Sequence, residues 1–241
     1  MDFAGKTAVI TGGATGIGFA LAKKLGAAGA RIILFEPRAS RLEEAVAVLA
    51  GDGVDAKYLV GDVTRPEDVE ALADFAWAEN GRGDIIINNA GVSGGRQSVF
   101  DMDMAEARQL YDINFWGVWH GISTFGKRYR DDGQPAAIYT TASENSLFNA
   151  LPRTGGAYVS SKHAVLGLMD VLRRDAPANI QLGVIIPGWV KSELSELQAD
   201  EAMDADEFAG IIVPQIEAGE FLEKREALRH DRDACIPVMT T

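Results

Sequence analysis

The sequence predicts an α/β fold: a doubly wound parallel sheet with helices on both faces. Short apolar runs alternate with segments of helical spacing from position 7 to position 186, and this repeated β-α order is typical of parallel sheets. The strand candidates are near-continuous apolar runs, as expected for strands buried on both faces. A length of 241 residues and a hydrophobic fraction of 47% fit a single domain with a sizeable core.

Six strands and the helices between them follow in chain order from these patterns. The predicted strands cover residues 7–11, 31–35, 57–60, 84–88, 136–141 and 181–186. The predicted helices cover residues 17–28 and 41–50, then a helix beginning at Pro66, a long helix over 105–129, and a helix over 157–173. Segment 192–207 carries seven acids and weak periodicity. Within a single domain over 1–241, we therefore expect a substrate lid at about 189–220.

Charge and composition narrow the possible partners. The chain has 23 basic and 35 acidic residues, a net charge of −12, and an acidic surface repels nucleic acid phosphates and anionic lipid. The single cysteine, Cys235, excludes an internal disulfide and a cysteine-rich zinc site, and we expect no metal. The sequence contains no signal-peptide pattern and no membrane-length apolar run. We therefore expect a cytoplasmic protein that binds neither nucleic acid nor membrane.

A glycine-rich run joins the first strand to the first helix, with the spacing Thr-Gly-x-x-x-Gly-x-Gly over residues 11–18. Glycines let the backbone approach a pyrophosphate closely, and the N-terminus of the following helix points free N–H groups at the anion. A strand before the run and a helix after it favour a Rossmann-type dinucleotide site over an ordinary turn. The contacts we expect come from Gly12, Ala14, Thr15, Gly16, Ile17 and Gly18.

The end of the second strand bears on the cofactor. Glu36 lies 18 residues after Gly18, where an acid accepts hydrogen bonds from the adenosine ribose hydroxyls and repels a 2′-phosphate. This favours NAD over NADP. Arg38, two residues further on, is a basic side chain that suits a 2′-phosphate, so NADP stays open. The alternative interpretation of Glu36 is a solvated loop acid.

Two further strand ends carry polar residues. Asp62 and Val63 follow the third strand, where a carboxylate can accept from an adenine amino group or simply close a turn. The fourth strand ends in Asn88, Asn89, Ala90 and Gly91. Open α/β sheets bind ligands at the carboxyl ends of their strands, so this segment is a second candidate cofactor contact.

A tyrosine and a lysine define the candidate chemical centre. Tyr158 and Lys162 stand at i and i+4 on a predicted helix, so they share one face. A nearby ammonium favours the phenolate, and we expect Lys162 to lower the tyrosine pKa toward neutrality, as an acid/base requires. Ser143 follows the fifth strand and can hydrogen-bond a substrate oxygen. Asn114 lies within the long predicted helix, where an asparagine has modest propensity.

Together these residues resemble the single-domain short-chain dehydrogenase/reductases, from Lys6 to about Val190. The matching elements occur in order: the glycine run at 11–18, Asp62, Asn88–Gly91, Asn114, Ser143, Tyr158, Lys162, and Pro187-Gly188. Each element alone is weak, but the ordered set is highly specific. The resemblance implies hydride transfer between a nicotinamide cofactor and a small-molecule alcohol or ketone.

The resemblance also implies roles for individual residues. Ser143 steadies the substrate oxygen, and Tyr158 gives or takes the proton. Lys162 lowers the tyrosine pKa and contacts the nicotinamide ribose, and Asn114 holds a water that links Lys162 to solvent. The residues expected around the nicotinamide amide are Pro187, Gly188, Val190 and Ser192.

The chain departs from the family pattern at two places. Ser143 and Tyr158 are 15 positions apart, which is longer than usual, so loop 144–156 is enlarged and should reshape the substrate pocket. The usual C-terminal ending is absent, which leaves a seventh strand open and makes a homodimer as plausible as a homotetramer. The aromatic residues Phe115, Trp116 and Trp119 are either core residues or a subunit contact.

The candidate substrate contacts are mostly apolar and favour a hydrophobic secondary alcohol or its ketone. They are Gly94, Asn145, Leu147, Leu151, Trp189 and Leu194. Two other functions stay open. One is an NAD-using epimerase or dehydratase, although those relatives are longer and have a C-terminal substrate domain. The other is a redox sensor that binds the cofactor without turnover, although Tyr158 and Lys162 are both retained.

Overall fold

Seven parallel strands form one sheet in the described part of the chain. The computed structural model describes residues 1–94, 97–149, 155–193, 202–219 and 222–224. The strands are β1 (Thr7–Thr11), β2 (Arg31–Glu36), β3 (Ala56–Val60), β4 (Ile85–Asn88), β5 (Ala136–Thr141), β6 (Ile180–Ile186) and β7 (Leu222–Lys224). Their order is β3-β2-β1-β4-β5-β6-β7 and every pairing is parallel. The predicted doubly wound α/β sheet is confirmed.

The strand order reverses direction between β1 and β4. β1 pairs with β2 on one side and with β4 on the other, in register Ile10↔Leu34 and Ile10↔Ile87. A crevice opens beyond the carboxyl ends of the strands at such a switch point, and open α/β sheets bind their ligands there. The sheet order therefore brings the glycine run and the Asn88–Gly91 segment to one edge.

Helices cover both faces of this sheet. They are α1 (Gly16–Ala27), α2 (Ala39–Gly51), α3 (Pro66–Asn80), α4 (Met104–Tyr111), α5 (Gly117–Asp132), α6 (Gly156–Asp175) and α7 (Ala205–Ala218). One core cluster joins α1, α2 and α7 to the sheet, and the other joins α3, α5 and α6 to the opposite face. Within the described ranges, no helix has both the length and the apolar character needed to cross a membrane.

The two edges of the sheet refine the strand predictions. β1, β4 and β5 are buried throughout, as their apolar runs predict, whereas β3 is only partly buried because it is an edge strand. The sequence left open whether a seventh strand forms, and β7 is that strand. It pairs with β6 in register Val184↔Leu222 and Ile186↔Lys224. Backbone pairing tolerates its charged composition at an edge.

The long helix predicted over 105–129 is wrong in one respect: it is not continuous. α4 ends at Tyr111, a π-helical segment (Asp112–Trp116) follows, and α5 begins at Gly117. At this point the helix passes close to neighbouring elements, because a Cβ added to Gly117 would lie 2.7 Å from a Val63 methyl carbon. A π turn adds one residue and is frequent at functional sites. Apolar spacing gives no signal for such an insertion.

The second half of the predicted lid is a core helix. α7 occupies Ala205–Ala218, and its Phe208, Ala209 and Ile212 are fully buried in the cluster shared with α1. A helix with this buried face cannot open as a lid without exposing core residues. The lid hypothesis is therefore confined to the segment before α7.

We expect Phe208→Ala to lower the free energy of unfolding by about 3–5 kcal/mol, because it leaves a cavity in the core. Denaturant unfolding of the cofactor-free protein measures this, with Glu217→Ala on the exposed side of α7 as the matched control. The control should change stability by less than about 0.5 kcal/mol. A loss below about 1 kcal/mol for Phe208→Ala would show that α7 is not a core element.

Candidate active site

The glycine run forms a tight loop between β1 and α1. Gly12 and Gly16 have φ values of +60° and +54°, a region that favours glycine. A Cβ on Gly18 would lie 2.4 Å from the Gly12 carbonyl oxygen and 2.5 Å from Asn89 Nδ2. The helix thus starts in direct contact with its own loop and with the end of β4. No larger residue fits at position 18 without moving backbone.

Asn89 joins the loops that follow β1 and β4. Its Nδ2 donates to the Thr11 and Gly12 carbonyl oxygens at 3.1 and 3.0 Å. Thr11 Oγ1 accepts from the Asn89 and Ala90 amides at 3.0 and 3.1 Å. The side chain predicted to contact the cofactor therefore holds the glycine loop in shape.

The start of α1 fits an anionic ligand. Thr15 is the N-cap in an extended conformation, no side chain caps the first turn, and that turn contains no acid. Its N–H groups consequently face the crevice at the switch point, where a helix N-terminus favours a phosphate. Together with the close packing at Gly18, this arrangement suits the pyrophosphate of a dinucleotide.

The acid and the base at the end of β2 form one ion pair. Glu36 is 4% exposed, and its carboxylate accepts from Arg38 Nε at 2.7 Å and from Arg38 Nη2 at 3.3 Å. A solvated loop acid is thus the wrong interpretation of Glu36, because the side chain is buried. Arg38 Nη1 also donates to Glu193 at 2.7 Å.

Asp62 closes the turn after β3. Its Oδ1 accepts from the Thr64 amide at 2.9 Å, and its own amide donates to Asp68 Oδ2 at 3.0 Å. The neighbouring Val63 is buried against the second core cluster. Asp62 therefore closes a turn, and the contact of its carboxylate with an adenine amino group stays a prediction.

Ser143 and Tyr158 meet at the carboxyl edge of the sheet. Ser143 follows β5, and its Oγ accepts from the Asn145 amide at 3.2 Å and from Asn145 Nδ2 at 3.3 Å. Tyr158 lies in the first turn of α6, where hydrogen bonding by Ser143 lowers the tyrosine pKa. The enlarged loop between the two residues thus leaves the expected pair intact.

The expected lowering of the tyrosine pKa is wrong for the cofactor-free chain. Burial raises the pKa of Tyr158 above its ordinary value, the hydrogen bond from Ser143 opposes this shift, and the Glu144 charge adds to it. Lys162 Nζ lies 6.0 Å from the centroid of the tyrosine ring and donates to the Thr141 carbonyl oxygen at 2.9 Å. The ammonium is therefore directed at the backbone of β5 rather than at the phenol.

Lys162 is itself strongly affected by its surroundings. It is 4% exposed, and burial lowers its pKa from 10.5 to about 8 because the charged form loses its hydration. A Cβ on Gly91 would lie 3.5 Å from Lys162 Nζ and 3.3 Å from Asn114 Oδ1. The end of β4, the π-helical segment and α6 thus converge around one ammonium group.

Asn114 lies inside the π-helical segment and is fully buried. Its Oδ1 accepts from the Val92 amide at 2.8 Å, and its Nδ2 donates to the Val92 carbonyl oxygen at 2.9 Å and to Ser161 Oγ at 3.3 Å. These bonds tie the segment after β4 to α6. The side chain expected to hold a water is also bonded to protein groups, and its contact with a water stays a prediction.

The predicted nicotinamide contacts follow β6. The Pro187 carbonyl oxygen accepts from the Glu144 amide at 2.9 Å, and Val190 forms an isolated bridge with Met203. A Cβ on Gly16 would lie 3.0 Å from Ser192 Cβ. Gly188 and Ser192 thus belong to segment 187–192, the strap, which runs from the loop after β5 to the start of α1.

The predicted substrate contacts are only partly grouped. Asn145 is buried beside Ser143, and Leu147 packs partly buried against the second core cluster. Trp189 is partly buried, and its carbonyl oxygen accepts from the Met203 amide at 2.9 Å. A Cβ on Gly94 would lie 2.5 Å from a Leu110 methyl carbon, so Gly94 packs against α4. Leu151 and Leu194 lie outside the described residues.

Four further residues support this site, and their roles were not predicted from the sequence. Thr11 and Thr141 organise the loop ends, Glu144 influences the tyrosine pKa, and Glu193 reaches Arg38. Thr11 and Thr141 stand directly beside predicted motifs, so their positions offered a signal. Glu144 and Glu193 lie in segments whose course depends on tertiary packing.

The fold and this site define a nicotinamide-dependent oxidoreductase, and comparison with known proteins agrees. A family model described as short chain dehydrogenase matches residues 6–202. The 1-deoxy-11-beta-hydroxypentalenate dehydrogenase of Streptomyces avermitilis is 34% identical over 83% of this chain and 78% of that protein. The 7alpha-hydroxysteroid dehydrogenase of Escherichia coli is 31% identical over 88% of this chain and 77% of that protein.

A solved structure shares the whole architecture. The short-chain dehydrogenase/reductase from Burkholderia phymatum in complex with NAD superposes with a TM-score of 0.85 at 26% identity, covering 92% of this chain and 89% of that one. The chain belongs to the short-chain dehydrogenase/reductase family. It is an oxidoreductase that transfers a hydride between a nicotinamide cofactor and an alcohol or ketone.

We expect the buried ammonium to make stability depend on pH. Below about pH 8 the folded chain buries a charged Lys162. Above that pH Lys162 of the folded chain is neutral, whereas the same lysine in the unfolded chain keeps its proton up to about pH 10.5. Wild-type stability relative to Lys162→Met should therefore rise by about 2 kcal/mol between pH 7 and pH 10 in the absence of cofactor.

Denaturant unfolding of both proteins at the two pH values measures this difference. The exposed Lys127→Met is the matched control, and its difference from wild type should change little with pH. A wild-type advantage over Lys162→Met that stays constant, or falls, from pH 7 to pH 10 would contradict the burial of a charged lysine.

Proposed function

We propose that the chain is an NAD-dependent alcohol dehydrogenase or ketoreductase that acts on a hydrophobic secondary alcohol or its ketone. The observation that carries this proposal is the placement of Tyr158 beside Ser143, which lowers its pKa, with the buried Lys162 6.0 Å from the tyrosine ring. A half-buried tyrosine hydroxyl beside a serine and near an ammonium group suits proton transfer to or from a substrate oxygen.

In this proposal each side chain has one task. Ser143 orients the substrate oxygen, and Tyr158 donates the proton to a ketone or removes it from an alcohol. Lys162 keeps a positive charge near the phenol and offers its Nζ to the ribose of the bound cofactor. Asn114 acts through the backbone that it fixes at Val92. When bound, the nicotinamide supplies the hydride chemistry.

The surroundings of the tyrosine support an apolar substrate. Leu147 and Trp189 are partly buried near the catalytic loop, and Asn145 is the buried polar neighbour of Ser143. The relatives named above are dehydrogenases of a hydroxypentalenate and a hydroxysteroid. We therefore favour a hydroxyl or keto group on a large hydrocarbon skeleton.

Aromatic side chains support a homodimer or homotetramer. Trp116 and Trp119 are 45% and 44% exposed, and both contact Phe115 through ring edges at 5.0 and 5.8 Å between centroids. Large exposed aromatic residues of this kind mark interaction surfaces. We propose that this face is a subunit contact, in addition to the part that Phe115 plays in the core.

The first experiment is a panel of oxidations of hydrophobic secondary alcohols with NAD or NADP, followed by the absorbance of the reduced nicotinamide. Turnover with NAD, and much less with NADP, would support the reaction and the cofactor preference together. Equal or better turnover with NADP would overturn the preference alone. Tight cofactor binding with no turnover across the panel would overturn the substrate class and favour a redox sensor.

We expect Tyr158→Phe to lower kcat by at least about a thousandfold, because it removes the group that exchanges the proton. Affinity for NAD should stay within about threefold of wild type, since the hydroxyl is directed at Ser143 rather than at the glycine loop. Steady-state kinetics and calorimetric titration with NAD measure the two effects. Near wild-type turnover would refute the assigned acid/base.

We expect Glu36→Ala to reduce the preference for NAD over NADP by about tenfold or more, because it frees Arg38 for a 2′-phosphate. The ratio of kcat/KM with the two cofactors measures the change. Glu43→Ala, an exposed acid on α2, is the control and should leave the ratio unchanged. An unchanged ratio in Glu36→Ala would remove Glu36 from cofactor selection.

A further inference from the structure

A third side chain completes the ion pair at the end of β2. Glu193 follows the strap after β6, and its Oε2 accepts from Arg38 Nη1 at 2.7 Å. Its Oε1 lies 3.6 Å from Arg41 Nη2. One carboxylate thus contacts the loop after β2 and the first turn of α2.

This is the place where a 2′-phosphate would need its cations. The N-cap of α1 marks the pyrophosphate end of the site, and Glu36 marks the ribose end. A phosphate on the ribose would have to bind a guanidinium in this neighbourhood. Arg38 already donates hydrogen bonds from its Nε and Nη2 to Glu36 and from its Nη1 to Glu193.

We propose that Glu193 is a second cofactor-selectivity residue, which acts with Glu36 to reject the 2′-phosphate of NADP. The inference rests on the proposed preference for NAD. It assigns part of that preference to Glu193, which is 155 positions away from Arg38 in the sequence. A phosphate monoester carries nearly two negative charges at neutral pH, so a fixed carboxylate beside its binding position repels it. Glu193 also occupies the guanidinium edge that Glu36 leaves free.

Stability alone gives a weak reason for this arrangement. The side chains of Arg38 and Glu193 are 47% and 42% exposed, and an ion pair between groups so exposed contributes little to folding. The same pair has a large effect on an incoming anion, because the phosphate would have to break it. Arg38 and Arg41 lower the pKa of Glu193, so the carboxyl is ionised wherever the cofactor is bound near neutral pH.

Glu193→Gln tests the proposal with little change in shape. Calorimetric titration with NAD and with NADP gives the ratio of the two dissociation constants, Kd for NADP over Kd for NAD. We expect this ratio to fall about tenfold, because one repulsive charge is lost and Arg38 Nη1 is released. An unchanged or higher ratio would overturn the proposal.

Glu79→Gln is the matched control. Glu79 is 41% exposed and pairs with Lys57 at 2.7 Å, so it has the same exposure and pairing distance as Glu193 but lies on α3. Its substitution removes the same net charge and should leave the ratio unchanged. A fall in the ratio as large as that of Glu193→Gln would assign the effect to net charge and overturn the local role.

A second background tests the connection through Arg38. In Arg38→Met, Glu193→Gln should lower the ratio by clearly less than in wild type, because the repulsive charge is still lost but no guanidinium is released. A full tenfold effect in that background would overturn the action through Arg38. If wild type prefers NADP, the proposed preference for NAD fails, but the direction of the Glu193→Gln change still decides the role of Glu193.

Discussion

One chain of hydrogen bonds connects the glycine loop to the catalytic lysine. Asn89 Nδ2 holds the Gly12 carbonyl oxygen, Thr141 Oγ1 donates to Asn89 Oδ1 at 3.1 Å, and the Thr141 carbonyl oxygen accepts from Lys162 Nζ. These bonds cross the carboxyl ends of β1, β4 and β5, three neighbouring strands. The positions of the cofactor loop and of the reacting groups therefore depend on the same strand order and register.

The chemistry of the site depends on burial. Removing water from Lys162 and Tyr158 disfavours the charged form of both side chains, which lowers one pKa and raises the other. At neutral pH the tyrosine of the cofactor-free chain is consequently a neutral hydroxyl. That form donates a proton, as ketone reduction requires, whereas alcohol oxidation must first remove the proton from Tyr158.

Much of the fold was accessible from sequence because its signals are local. The apolar runs at 7–11 and 136–141 are strands, the glycine spacing is a loop, and Tyr158 and Lys162 share a helix. The errors have a common cause in tertiary packing. The π-helical segment ends where Gly117 of α5 packs closely against Val63, and α7 is a core helix because it packs against α1. Neither contact is visible in the periodicity of the chain.

The cofactor signals illustrate this limit most clearly. In the sequence, Glu36 and Arg38 are rival indicators, one for NAD and one for NADP, and their two-residue separation gives no way to choose. In the fold they are partners, and Glu193 binds the remaining edge of the guanidinium. A basic residue therefore predicts phosphate binding only if no carboxylate in the fold already holds it. That condition depends on the course of the strap after β6.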